Sequence, residues 1–238
     1  MKIDLHSHIL PGIDDGSRCI EESVALLDKM SENGINVVVA TPHFYCHEQS
    51  VDNFINARNE AYESLKPHLK PNHPKILLGA EVLYHPVLVG NEELYKLKIQ
   101  GTDFVLIEMP YTPITSEIIE NMEIIADSMD VKIIVAHIER YLHFTTYSSL
   151  TALMNLDVLG QINTRSLNSF SSKRACFKLI KQGYVQALGS DAHRIDKPIL
   201  TVNDVYKIID KKFGEGYTEK LMTTAEYILE NKDMKYFL

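Results

Sequence analysis

Short apolar runs alternate along this chain with longer stretches in which apolar residues recur every three or four positions. Those two patterns separate buried strands from amphipathic helices. Residues 3–6 predict a strand starting almost at the first residue, followed by a loop over residues 9–16. Ser17 is then placed as an N-cap with Glu21 and Glu22 in the first turn, Val24, Leu27 and Met30 form the apolar stripe, and Gly34 closes the helix. Residues 37–40 are a continuous β-branched and small apolar run, the signature of a strand buried on both faces of a parallel sheet. Similar runs predict strands over residues 76–80, 104–107, 133–136 and 185–188, with a weaker one over 159–162. Helical spacing predicts helices over residues 51–69, 116–129, 172–182, 202–213 and 218–230, and a short one near 92–97.

Seven strands alternating with helices imply a parallel α/β sheet. Polar residues stand within three positions of the end of nearly every run: His43, Glu81, Glu108, His137, Asn163 and Asp191. An open sheet would spread these along a line, whereas a closed barrel gathers the carboxyl ends of all its strands around one pocket. The expected architecture is therefore a barrel of seven strands, one fewer than the usual eight. The length suits one domain over residues 1–238, with no linker, repeat or low-complexity segment dividing it.

The first strand carries His6 and His8 on one side, about 7 Å apart, because strand side chains alternate between faces. Two imidazoles so placed can share a metal ion. Together with Asp14, His43, Glu81, Glu108, His137, Asp191 and His193 they make nine candidate donors. That is too many for one tetrahedral zinc site. A mixed imidazole and carboxylate set suits manganese, iron or zinc at five or six ligands, and a carboxylate such as Glu81 can bridge two ions. His68, His73 and His85 fall in loops and are expected to be solvated, and His47 lies near enough to His43 to support it.

Composition narrows the partners. A formal charge of −8 with no Lys/Arg block argues against a nucleic-acid backbone. Cys19, Cys46 and Cys176 are scattered without CxxC spacing, which fits a reducing compartment better than a disulfide framework. No apolar run approaches membrane-spanning length and charged Lys2 and Asp4 interrupt any signal-peptide core, so a soluble, cytoplasmic protein without stable membrane insertion is expected. A cysteine-based tyrosine phosphatase loop needs arginine six positions after its cysteine. Those positions are Ala25, Asp52 and Gln182.

The motifs Asp4-Leu5-His6-Ser7-His8, Leu10-Pro11-Gly12-Ile13-Asp14-Asp15-Gly16-Ser17, Thr41-Pro42-His43, Gly79-Ala80-Glu81, Ala136-His137-Ile138-Glu139-Arg140-Tyr141 and Ser190-Asp191-Ala192-His193 occur in order. The chain in this respect resembles the polymerase-and-histidinol-phosphatase (PHP) superfamily. The match is closest to its bacterial manganese-dependent protein tyrosine phosphatases, linked to capsular and exopolysaccharide synthesis. That resemblance implies a distorted (β/α)7 TIM-like barrel holding three divalent metal ions, manganese first, with iron or zinc as alternatives. It places His6, His8, Glu81 and Asp191 on one ion, Glu81, Glu108 and His137 on a second, and Asp14, His43 and His193 on a third. Arg140 resembles the family's phosphate-binding arginine. The family's second arginine, before a proline, is replaced here by Lys197-Pro198, with Arg194 nearer the motif, so Arg194 and Lys197 are the further substrate-binding candidates.

The implied reaction is hydrolysis of a phosphate monoester by a metal-activated hydroxide, with Arg140 steadying the phosphoryl oxygens through paired donors. The implied substrate is a phosphotyrosine protein, a cytoplasmic tyrosine kinase of polysaccharide synthesis or export. Two alternatives stand beside it: a small-metabolite phosphatase such as a histidinol-phosphatase, and a non-catalytic metal-binding scaffold. The oligomeric state is not legible.

Overall fold

Each buried run becomes a parallel strand in the computed structural model, which describes residues 1–128, 130–195, 202–214 and 216–237. In chain order the elements are β1 (Ile3–Ser7), α1 (Ile20–Glu32), β2 (Val37–Ala40), β3 (His43–Phe44), α2 (Val51–Leu65), β4 (Lys75–Leu78), β5 (Glu81–Leu83), β6 (Phe104–Glu108), α3 (Ser116–Ser128), β7 (Lys132–Val135), α4 (Tyr147–Met154), β8 (Val158–Asn163), α5 (Phe170–Lys181), β9 (Ala187–Gly189), α6 (Val202–Phe213) and α7 (Gly216–Leu229). All strand pairings are parallel, in the orders β1-β2-β4 and β3-β5-β6-β7-β8-β9. β3 prolongs β2 and β5 prolongs β4. The Gly79 amide donates to Ala40 O at 2.8 Å and the Glu81 amide to Pro42 O at 3.0 Å, so the two sheets run on into one another. At the far edge β9 returns to β1, where the Asp191 amide donates to His6 O and the His8 amide to Ala192 O, both at 2.9 Å. Seven strand positions thus curl into a distorted (β/α)7 barrel.

Period-two alternation decides what fills it. Phe104, Leu106, Ile134, Leu159 and Ala187 belong to one apolar cluster with Leu5 and Val39. One step further along the same faces stand Glu108 and Gln161, so the polar site sits directly above an apolar plug. The alternate residues Val38, Val105, Ile107, Ile133 and Val135 pack outward with the buried faces of the helices.

Three local expectations change. Ser17 is not the N-cap of α1, which begins at Ile20 after Cys19. Its amide instead donates to His8 O at 3.0 Å and its hydroxyl bonds Ser23 Oγ at 2.7 Å, tying the loop to the site. α2 stops at Leu65 and tightens into a 3-10 turn over Lys66–His68, because Pro67 lacks the amide that a further α-helical turn needs. α4 was not anticipated, since its serines and threonines are weak helix formers. Its start is nonetheless conventional, with the Thr146 hydroxyl accepting the Ser149 amide at 3.1 Å. The end of the expected 116–129 helix, Met129, lies outside the described residues.

Candidate metal centre

Glu81, the first residue of β5, is the hub. Its side chain is 1% exposed, and its Oε2 lies 3.0 Å from His43 Nδ1, 3.1 Å from His6 Nε2 and 3.2 Å from His8 Nε2. Its Oε1 lies 2.9 Å from His137 Nε2, which in turn stands 3.3 Å from Glu108 Oε1. Asp191 Oδ1 is 3.5 Å from His6 Nε2 and 3.4 Å from His8 Nε2. Donor atoms converge in three overlapping groups: His8, Asp15, His43 and His193; His6, His8 and Glu81; His43, Glu81 and Glu108.

Backbone geometry aims these side chains. His137 follows β7 with φ 31° and Asp191 follows β9 with φ 52°, both in the left-handed region that side chains rarely adopt. Such strain persists where the surroundings over-determine it, and here both residues deliver a donor to one point. Gly189 lets β9 approach β1, since a Cβ there would lie 2.4 Å from His6 Cβ. Gly16 permits the return of the loop, as its Cβ would meet His8 O at 2.3 Å.

Hydrogen bonds behind the donors set which ring nitrogen faces inward. His6 Nδ1 lies 3.2 Å from Gln161 Oε1 and His8 Nδ1 2.7 Å from Asp14 Oδ2. Donation at those atoms leaves both Nε2 lone pairs facing Glu81, the usual device for fixing a metal-ligating imidazole. Gln161 also accepts the His137 amide at 2.8 Å and donates to Asn163 Oδ1, while Asn163 Nδ2 donates to Asp191 Oδ2 at 2.7 Å. Asp4 Oδ1 accepts the Ser190 amide at 2.8 Å and holds the Asp191 turn against β1.

The donors expected from sequence are brought together, with one exchange of role. Asp14 was expected beside His43 and His193. Its Oδ2 instead accepts from His8 and, at 3.1 Å, from the His43 amide, while Oδ1 accepts the Gly16 amide. The neighbouring carboxylate turns toward the two histidines: Asp15 Oδ1 is 3.5 Å from His43 Nε2 and 3.3 Å from His193 Nε2, and its side chain is 74% exposed. Asp15 was missed because two adjacent aspartates in a loop have no periodicity to tell them apart. Gln161, Asn163 and Asp4 were missed as supports, although Gln161 and Asn163 alternate along one strand.

The arrangement suits cations better than protons. Glu81 Oε2 has three ring nitrogens within 3.2 Å, yet none of those contacts has hydrogen-bond geometry, and neither Glu81 Oε2 nor His43 Nδ1 gains a hydrogen-bond partner among the described residues. Buried polar atoms are rarely left so. An ion drawing lone pairs from all of these atoms would resolve the mismatch.

Several pKa values follow the same crowding. Burial disfavours charge on His137, but Glu108 and Glu81 outweigh it and push its pKa up to about 9. His8 and His43 move up for the same reason, against burial, through Asp14 and Glu81 respectively. His193 moves down, through burial and the positive charge of His8. Burial would raise Asp14, but His8 overrides it and holds the carboxyl near about 2. In metal-free protein a raised histidine stabilises the fold fully below its unfolded pKa, and that contribution is lost as pH rises through the folded value. His193 works in the opposite sense but alone. The melting temperature of chelator-treated protein should therefore fall between about pH 6.5 and pH 9, and this alkaline loss should shrink when metal is restored. An unchanged melting temperature across that window would contradict the assignment.

A pocket of about 330 Å³ opens above the donors, lined among others by Tyr45, Tyr111, Arg140, Arg165, His193 and Arg194. Arg140 is set by two contacts: Nη2 donates to Asp191 Oδ2 at 2.5 Å and Nη1 to Tyr111 Oη at 3.2 Å. Tyr111 in turn donates to Glu108 Oε1 at 2.7 Å. Arg194 lines the pocket, and Lys197 lies outside the described residues. His73 is paired with Asp28 away from the site, at 2.9 Å. None of the three cysteines lines the pocket, and burial pushes the thiol of Cys176 well up, the opposite of an activated nucleophile.

A sequence model of the family described as capsular polysaccharide synthesis, CpsB/CapC, matches residues 2–230. The tyrosine-protein phosphatase CpsB of Streptococcus agalactiae serotype III (strain NEM316) is 27% identical, over 96% of this chain and 98% of that protein. The tyrosine-protein phosphatase YwqE of Bacillus subtilis (strain 168) is also 27% identical, over 97% and 92%. A crystal structure from a study of YwqE from Bacillus subtilis and CpsB from Streptococcus pneumoniae, described as unique metal-dependent tyrosine phosphatases, superposes with a TM-score of 0.81. It covers 97% of this chain and 95% of the other at 23% identity, a likeness that carries the fold.

Proposed function

The chain belongs to the CpsB/CapC family of capsular polysaccharide synthesis, and from that premise we propose that it is a metal-dependent phosphotyrosine-protein phosphatase. The observation that carries the reading is the buried Glu81 hub, ringed by four imidazoles and set beside the fixed guanidinium of Arg140 in one open pocket. We assign His6, His8, Glu81 and Asp191 to one ion, Glu81, Glu108 and His137 to a second, and His43 and His193 to a third. The geometry favours Asp15 over Asp14 as the carboxylate of that third set. Three divalent ions, manganese first, fit these donor types.

Divalent ions held by these residues would lower the pKa of bound water and neutralise phosphoryl oxygens, the two requirements for attack on a phosphate dianion. The chain's own residues do the rest. Asp14 and Gln161 hold the imidazoles of His8 and His6 in the tautomer that leaves Nε2 unprotonated. Arg140, with its plane fixed by Asp191 and Tyr111, offers paired N–H donors to the phosphoryl oxygens. With no thiol at the pocket, no phosphocysteine route competes. The site lies at the mouth of the barrel, so a peptide on either side of the phosphotyrosine can remain outside. Among the described residues no helix is long and apolar enough to cross a membrane. The proposed substrate is a tyrosine kinase of polysaccharide export, met in the cytoplasm.

The test is hydrolysis of a chromogenic aryl phosphate. Turnover should disappear on exhaustive chelation and return with manganese, and phosphotyrosine peptides should be preferred over phosphoserine peptides and over histidinol phosphate. Unchanged turnover after metal is shown to be gone would refute the reading. A higher kcat/KM for histidinol phosphate than for any phosphotyrosine peptide would move the assignment to a metabolite phosphatase on the same centre.

A further inference from the structure

The mouth of the pocket is chemically divided. Around the barrel the strand positions run β1, β2 with β3, β4 with β5, β6, β7, β8 and β9. Pocket-lining residues beyond β7, β8 and β9 include Arg140, Arg165 and Arg194, three guanidiniums against the single carboxylate of Asp191, so that arc is net cationic. Those beyond β3 and β6 are Tyr45 and Tyr111, so the facing arc is aromatic. Each tyrosine ring lies nearly parallel to a candidate metal-ligating imidazole. Tyr45 stands 5.4 Å from the His43 ring at an interplanar angle of 18°, and Tyr111 stands 6.3 Å from His137 at 16°. Tyr111 is held further by Phe144, 5.3 Å away, and by its hydroxyl bridge between Glu108 and Arg140. It remains 44% exposed, so one part of it is fixed and another is presented to the pocket.

We propose that Tyr45 and Tyr111 form an aryl-binding arc that makes the site selective for aromatic phosphate esters. This deepens the phosphatase reading above and rests on it. A phosphoryl group over the donors, with its charge toward the arginine arc, leaves its ester substituent directed along the tyrosines. An aromatic substituent gains offset or edge-on ring contacts there, which an alkyl chain cannot reproduce. The pocket floor is built of charged and polar groups, so these two rings supply the apolar surface that such a substituent needs.

The probes are phenylphosphonate and methylphosphonate, which share the phosphonyl head and differ in the ring. Their binding to manganese-loaded protein is measured by calorimetry, which does not depend on turnover. The protein as it stands should bind phenylphosphonate the more tightly. Tyr45→Leu should reduce that preference by about fivefold, the size of one aromatic pair, while methylphosphonate affinity and metal content hold; Tyr111→Leu should reduce it by a similar factor relative to Tyr111→Phe, which lacks the same hydroxyl but keeps the ring. Tyr111→Phe should keep the preference, because it retains the ring and removes only the hydroxyl. An unaltered preference in both leucine variants, or a parallel loss for both probes in Tyr45→Leu, would overturn the arc and leave the phosphatase reading standing. Absence of any preference in the starting protein would overturn the arc too. Failure of the phosphatase reading has a separate signature, the lack of metal-dependent aryl phosphate turnover.

Discussion

Glu81→Gln is expected to empty the centre and cut kcat/KM by about a thousandfold or more, roughly 4 kcal/mol of transition-state stabilisation. Its two oxygens reach four imidazoles, those of His6, His8, His43 and His137, more than any other carboxylate among the described residues. An amide keeps the shape but removes the charge and turns one acceptor oxygen into a donor, so it can neither bridge two cations nor neutralise four imidazoles. The metal-free variant should also melt below the metal-free parent, because removing one partner of a buried ion pair costs about 3–5 kcal/mol. Elemental analysis, melting curves and steady-state kinetics on the same preparation separate these effects. His73→Ala is the control, since it breaks only the distant pair with Asp28 and should leave metal content and rate alone. Normal occupancy in Glu81→Gln would remove the hub from the account.

Arg140→Ala should behave differently, leaving metal content intact while lowering kcat/KM on the order of 100-fold, about 3 kcal/mol for a lost charge-assisted paired contact. In the structure its guanidinium bonds Asp191 through Nη2 and Tyr111 through Nη1, two partners met by separate nitrogens of one planar group. Arg140→Lys should therefore recover little of the loss. Burial works against its charge, but Asp191 and Tyr111 push its pKa further above the usual arginine value, so it stays cationic throughout any assay range. Loss of metal along with activity in Arg140→Ala would instead assign it to holding Asp191. A kcat/KM within a few-fold of the parent would remove it from phosphate binding.

Much of this was legible in one dimension. The strand over residues 37–40 was anticipated with its observed bounds, as was the helix over residues 202–213, because a fully buried parallel strand must be apolar at every position and an amphipathic helix must repeat every 3.6 residues. The donors His6, His43, Glu81, Glu108, His137 and Asp191 could be nominated because they stand at the ends of such runs, where a barrel gathers its carboxyl termini. The cysteine mechanism could be dismissed from spacing alone.

Direction and partnership were decided only in three dimensions. Asp14 and Asp15 are adjacent and alike, and the choice between them depends on a loop folded back over His8 and admitted by Gly16. The left-handed turns at His137 and Asp191 have no sequence marker, since neither residue is glycine. Gln161, Asn163 and Asp4 look like ordinary polar residues until β8 and β1 are brought beside the donors that they orient. Local pattern determined the strands, the order of the barrel and the kinds of atoms at its mouth, because hydrophobic burial acts on every residue of a run. Which oxygen meets which nitrogen, and which arc of the mouth is aromatic or cationic, was decided by contacts between residues far apart in the chain, whose spacing no local period records.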